Sequence, residues 1–270
     1  MMVGMADEYT HGHHESVLRV HRRRTVENSA AYLLPELRPG LSVLDVGAGP
    51  GTISVDLARH VAPGRVHAID ASADVVAHAE ADRVAQGVEN LSYAVDDAYA
   101  LSSDDDAWDV VHAHQVLQHL TRPVDALREF RRVVKPGGVV AVRDVDYEGT
   151  IWWPRIPGLD EWREIYLAVH RGTSGDPAAG RQLKSWARAA GFADVESSAS
   201  VWLFESPSAR SWWGGAWAER ALHSSFADNA LRLGIADQAA LERISAAWRE
   251  WAAEEDGWFL MPHGEVLARG

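Results

Sequence analysis

Between residues 43 and 52 the chain reads Val43-Leu44-Asp45-Val46-Gly47-Ala48-Gly49-Pro50-Gly51-Thr52. The apolar run predicts a buried strand, the three spaced glycines a tight turn, and the residues from Gly51 onward a helix. Glycine lets the backbone take positive φ and approach a ligand closely, and the helix behind the turn offers unpaired N–H groups. A strand, a glycine turn and a helix in that order commit the chain to an α/β sheet. Its ligand is then held at the carboxyl end of the strand. The dinucleotide pattern G-x-G-x-x-G is not met, because Thr52 stands where the third glycine belongs. Asp45, ahead of the first glycine, would repel a pyrophosphate but can pair with an ammonium group.

The following residues repeat the alternation. Strands are predicted at Arg65 to Ile69, Leu91 to Val95, Trp108 to Ala113 and Val139 to Val142, with helices at Gly51 to His60, Ala73 to Ala85 and from Pro123 onward. Pro123 suits a first helical position, and Gly137-Gly138 is expected to stop that helix. Before the glycine turn, Glu15 to Leu34 reads as one helix, ended by Pro35, Pro39 and Gly40. After residue 145 the texture changes: of 12 tryptophans all but Trp108 follow position 150. Residues 145–178 read as an insertion, Arg181 to Ala190 as a helix, Asp194 to Phe204 as a strand, 207–252 as mainly helical, and Gly257 to Ala268 as a last strand. The expected fold is a Rossmann-like, seven-stranded, mostly parallel sheet with helices on both faces. Residues 1–40 form an N-terminal helical arm, 41–144 the ligand-binding core, and 145–270 cap insertions plus the last strands of the same sheet.

Two further acids follow strand ends. Asp70, 19 residues after Gly51, is placed to accept hydrogen bonds from both hydroxyls of a ribose. The alternative is a helix N-cap, for which Ser72 competes. Asp97-Ala98 follows the third strand, where a carboxylate and a backbone N–H suit adenine, and Asp96 is an immediate competitor.

Composition narrows the partners. The formal net charge of -13 disfavours a phosphate-backbone partner, so no nucleic acid is expected. The basic run Arg22-Arg23-Arg24 reads as the solvated face of a helix. Cysteine is absent, which removes thiolate metal sites and cysteine nucleophiles and fits a cytoplasmic protein. No apolar run approaches the roughly 20 residues that span a bilayer.

In this order, the glycine loop, Asp70, Asp97, Trp108-Asp109-Val110-Val111, Val116-Leu117-Gln118-His119-Leu120 and Phe130-Arg131-Arg132-Val133-Val134-Lys135-Pro136-Gly137-Gly138 resemble the class I S-adenosylmethionine (SAM) methyltransferases. The last string is similar to the type 11 branch, which contains the ubiquinone/menaquinone-biosynthesis methyltransferases. The flanks Tyr9-Thr10-His11-Gly12-His13-His14 and Gly175-Asp176-Pro177 to Gly180-Arg181 resemble bacterial and fungal members of that branch, many of which carry Cys where Ala48 stands. The resemblance implies that Asp45, Gly47, Ala48 and Gly49 meet the methionine part of SAM. It places Asp70 and Ala71 at the ribose, Asp97 and Ala98 at the adenine, and His114 and Gln115 beside the sulfonium.

The implied activity is transfer of the methyl group from SAM to an O, N or C nucleophile of a small, lipophilic or aromatic molecule, leaving S-adenosylhomocysteine (SAH). Candidate catalytic residues are His14 and His119, among 13 histidines that titrate near neutrality. Candidate acceptor contacts are His11, His13, Arg143 and Trp152. Trp152, Trp153, Trp212, Trp213 and Trp217 either build the core of the cap or line an apolar acceptor pocket. No metal is expected, since the histidine cluster lacks matching carboxylates. Competing readings are a SAM-binding protein that does not methylate, such as a cyclase or regulator, and an NAD-dependent oxidoreductase. Oligomeric state stays open, with a homodimer as one option.

Overall fold

The computed structural model describes residues 23–270. Five strands run parallel in the order β3-β2-β1-β4-β5: β1 (Ser42–Val46), β2 (Arg65–Asp70), β3 (Leu91–Val95), β4 (Trp108–His114) and β5 (Val134–Val145). Every residue of β1 is buried, as expected of a central parallel strand covered on both faces. The helices joining these strands are α2 (Thr52–Val61), α3 (Ala73–Ala85) and α4 (Pro123–Val133), preceded in the chain by a single helical turn, α1 (Val26–Ser29).

The chain then adds β6 (Ile151–Trp153), α5 (Pro157–Gly172), α6 (Ala179–Ala189), β7 (Asp194–Phe204), α7 (Pro207–His223), α8 (Ser225–Arg232), α9 (Gln238–Ala253) and β8 (Trp258–Arg269). β8 runs antiparallel to both β5 and β7, pairing Arg143 with Glu265 on one edge and Ser200 with His263 on the other. The sheet therefore has eight strands rather than seven. β6 accounts for the eighth: it pairs with Trp258 to Leu260 of β8, opposite β7, continuing along the edge that β5 occupies.

Two boundaries differ from expectation for local reasons. α4 stops at Val133, ahead of Gly137, because the chain entering β4 captures its last carbonyls. Asp106 N–H donates to Arg132 O and Ala107 N–H to Val133 O, and Val134 already pairs with Trp108. The expected helix from Glu15 to Leu34 is not continuous over its described part. Thr25 and Asn28 form a capping box that starts α1 afresh, Ala30 breaks it at φ -141, and Ala31–Glu36 follows as a 3-10 helix containing Pro35.

Six tryptophans of the cap, Trp152, Trp162, Trp213, Trp217, Trp248 and Trp251, build its core. Trp162 lies buried with Trp217 and Trp248 edge-on at ring distances of 4.8 and 4.9 Å, and Phe259 of β8 packs beside them at 5.9 Å. Trp152, expected to touch an acceptor, stacks on Phe259 inside this core at 5 % exposure, so its position is structural. The reason is strand alternation: in β6 the central Trp152 faces inward while Ile151 and Trp153 are exposed. α6 meets the sheet where two glycines cross. A Cβ on Gly264 would lie 1.9 Å from Gly180 O, and one on Gly180 would lie 2.6 Å from Asp144 O.

A methyl group is therefore not tolerated at this crossing. Gly264→Ala is expected to cost about 1–3 kcal/mol in urea unfolding. The exposed Gly215 of α7 has open space at its Cβ position, so Gly215→Ala is expected to add about 0.5–1 kcal/mol.

Candidate active site

The carboxyl ends of β1 to β4 bring the glycine loop, Asp70, Asp97 and His114 to one edge of the sheet. Gly47, Gly49 and Gly51 all take left-handed φ, at 69, 56 and 79°. The loop is tied to β2 by main-chain bonds from Gly47 and Ala48 N–H to Ile69 O. It is then fixed by Asp70, whose Oδ2 accepts Gly49 N–H at 3.0 Å while Oδ1 accepts Ser72 N–H at 3.0 Å. Ser72 is itself the N-cap of α3, its hydroxyl accepting Val75 N–H, so the cap does not claim the Asp70 carboxylate. Ala71 lies between the two. Tyr93 of β3 braces the loop from one side, so close that a Cβ on Gly51 would fall 2.0 Å from its hydroxyl oxygen.

Asp45 is tied into the sheet by its own hydrogen bonds. It is 2 % exposed, with Oδ2 accepting the Ser54 hydroxyl at 2.5 Å and Oδ1 lying 2.7 Å from His112 Nδ1. Its place is beneath the loop, where it joins β1, α2 and β4. At the end of β3, Asp96 is engaged by Ser102 and by Asp97 N–H, whereas Asp97 is exposed with Oδ1 accepting Tyr99 N–H. Ala98, next along, is half-buried.

His114 ends β4 with both ring nitrogens buried and unpartnered, and burial pushes its pKa well below 6.5. Gln115 follows at φ 55, with its N–H donating to Arg143 O at 2.7 Å. Its side chain accepts from Arg24 at 2.6 Å and lies 3.0 Å from His263 Nε2. Arg24 is thus turned inward. The basic run is not a solvated helical face over the described Arg23 and Arg24: neither is helical, and Arg23 sits over the Trp212 ring at 4.6 Å. Nothing in the sequence signals these contacts, because their partners lie far away in the chain.

A second polar group lies behind β4. His119 is buried with Gln118 Nε2 3.0 Å from its Nε2, and its ring stacks on His170 of α5 at 5.3 Å. Burial lowers both imidazoles, His119 well below 6.5 and His170 to about 4, so both are neutral at pH 7. Asp144, at the end of β5, accepts Gln118 N–H at 3.2 Å and has an unpartnered Oδ2. Burial pushes its pKa up to about 8, which keeps it protonated at neutral pH. Gly175 lets the chain pass against this cluster, since a Cβ there would meet His170 at 2.4 Å and Gln118 O at 2.7 Å. His11, His13 and His14 lie outside the described residues.

Residues 37–190 match the family model described as "Methyltransferase domain". An uncharacterized methyltransferase of Schizosaccharomyces pombe is 32% identical over 270 residues, covering 96% of this chain and 95% of that protein. The chain belongs to the methyltransferase-domain family. A ubiquinone/menaquinone biosynthesis C-methyltransferase of Ruegeria sp. is 35% identical over 109 residues, 39% of this chain and 42% of its own length. The YcgJ protein from Bacillus subtilis has the same fold, with a TM-score of 0.59 over 90% of this chain and 98% of that one at 20% identity. The enzyme is a SAM-dependent methyltransferase of class I, and SAM is its cofactor. The residues at the sheet edge fit that molecule. The unpartnered His114 nitrogens call for a polar ligand, and a neutral imidazole adds no charge to oppose a sulfonium. Among the described residues no helix is long and apolar enough to cross a membrane.

The Asp144 carboxyl makes a prediction about stability. Its folded pKa lies above the unfolded value of about 3.9, so the folded state holds the extra proton. Stability from this group is present below the unfolded pKa and is lost as pH rises toward about 8. Asp144→Asn mimics the protonated form. Between pH 6.5 and 8, above the range where His170 acts in the opposite sense, wild type is expected to lose roughly 1 kcal/mol per pH unit relative to the variant. Urea unfolding of both proteins across that range measures the difference.

Proposed function

We propose that this methyltransferase acts on an O, N or C nucleophile of a small molecule with an apolar or aromatic body. The observation that carries this reading is a cavity of about 370 Å³ between the segment from Arg23 to Ala31 and strand β7. That volume suits a small-molecule ligand, and Trp202, Leu203, Phe204 and Trp212 supply apolar wall. Arg24, on the opposite wall, is hydrogen-bonded to Gln115 at the end of β4, so the cavity adjoins the edge where the cofactor residues gather.

Bound SAM supplies an electrophilic methyl carbon, open to in-line attack by the acceptor. The chain's part is to bind, orient and exclude water. The loop from Gly47 to Gly49 and the carboxylate of Asp70 hold one end of the cofactor, with Ala71, Asp97 and Ala98 along its nucleoside. His114 and Gln115 face the reacting centre. A general base is needed only if the nucleophile must lose a proton. His119 is then the candidate base, although burial lowers its pKa well below 6.5 and makes it a weak proton acceptor.

Calorimetric titration with SAM, with NAD as control ligand, tests the cofactor assignments. Wild type is expected to bind SAM and not NAD. Asp70→Ala removes a charge-assisted anchor of the loop together with the ribose acceptor, and should weaken SAM by about 10- to 100-fold. Unchanged affinity in the variant would overturn the role given to Asp70. Formation of SAH only when an acceptor is added separates a methyltransferase from a protein that binds SAM without using it.

A further inference from the structure

One cation in the cavity is left with unused hydrogen-bonding capacity. Arg143 of β5 is 1 % exposed, and its Nε and Nη2 are engaged by Glu265 and Ser200. Its Nη1 is buried and has no partner. A guanidinium nitrogen shut away from water without an acceptor costs free energy unless a ligand supplies one. The neighbouring carboxylate cannot supply it. Glu265 Oε1 already receives Arg143 Nε and the Ser200 hydroxyl, and Oε2 receives the Ser198 hydroxyl.

The surroundings favour an anion with a flat apolar body. Arg23 and Arg24 line the same cavity, so three arginines face two carboxylates, Glu265 and the exposed Glu27 on the rim. Trp202 stands between cations, with Arg143 at 5.1 Å and Arg24 at 5.6 Å from its ring. Trp212 and the half-exposed Leu203 extend the apolar wall. Burial brings the Arg143 pKa down to about 10, which leaves it charged at pH 7.

We infer that this cavity takes a small carboxylate-bearing molecule, its carboxylate against Arg143 and Arg24 and its flat body along Trp202 and Trp212, and that this molecule is the methyl acceptor. The inference rests on the methyltransferase reading and on the shared wall formed by Arg24 and Gln115. It narrows the acceptor from any small lipophilic molecule to an aromatic or similarly flat acid. A planar carboxylate matches the fork of a guanidinium in a way that a neutral amide does not.

The test uses the full chain saturated with SAH and two probes of one shape, 2-naphthoate and 2-naphthamide. By calorimetry, 2-naphthoate is expected to bind at least about tenfold more tightly than the amide. In Arg143→Gln that preference should disappear while SAH affinity stays within about twofold, which also shows that the variant is folded. If Arg143→Gln does not fold, Ala31→Trp carries the test, because it fills the cavity from an exposed wall position and should abolish 2-naphthoate binding. Equal affinity for both probes, no binding of 2-naphthoate, or a preference that survives either variant would overturn the inference. With SAM in place of SAH, 3-hydroxy-2-naphthoate should release SAH faster than its amide. Equal or absent turnover would separate the cavity from the acceptor. A chain that fails to bind SAH at all would instead remove the methyltransferase reading, and this inference with it.

Discussion

The last twelve residues of the described sheet, β8, lie between β5 and β7, and the composite parts of the molecule depend on that insertion. One edge of β8 closes the parallel core, and the other carries β7 with the cap behind it. The pairing sets Glu265 beside Arg143, His263 beside Gln115, and Gly264 against Gly180. Each of these contacts joins residues more than eighty positions apart. A slip of one residue in β8 would turn Glu265 and His263 to the opposite face, because side chains alternate along a strand. Register in this ladder is therefore a condition for the cavity as well as for the fold.

The catalytic edge is polar but sparsely charged. Burial keeps His114, His119, His170 and His263 neutral and holds a proton on Asp144. One buried charge pair that persists is Arg143–Glu265, with serine hydroxyls satisfying the carboxylate. Such a pair adds little net stability over an apolar replacement, since desolvation offsets attraction. Its position in the cavity wall fits the ligand recognition proposed for Arg143. The neutral His114 imidazole at the end of β4 and a cationic wall around Arg143 give this edge two chemical environments.

Much of the core was legible because local chemistry and tertiary packing agree there. The strand from Leu91 to Val95 and the helix from Ala73 to Ala85 coincide with expectation, since the hydrophobic period of short segments leaves few alternatives there. Spacing left Asp70 and Ser72 as competitors for the helix cap, and the structure gives the cap to Ser72. The misreadings arise where distant residues compete with local signals. Gly137 did not stop α4, because β4 captured the helix end first. Arg24 was drawn inward by Gln115, 91 positions away. The bonds that tie Asp45 to Ser54 and His112, the latter 67 positions away, were likewise not visible in the sequence.

Taken alone, the sequence determined the α/β class, the position of the glycine loop and the acids that follow β2 and β3. These depend on backbone permissiveness and on hydrophobic period, both properties of short segments. It also determined that tryptophan would fill the cap, but not which indoles would face the cavity. Trp152 went into the core and Trp202 to the wall because β6 and β7 meet β8 in particular registers. Only the tertiary structure decided the neutral histidines, the protonated Asp144 and the unpartnered Arg143 nitrogen. Proton affinity and unmet hydrogen bonds reflect the loss of water around a group, and that loss is set by neighbours brought together from across the chain.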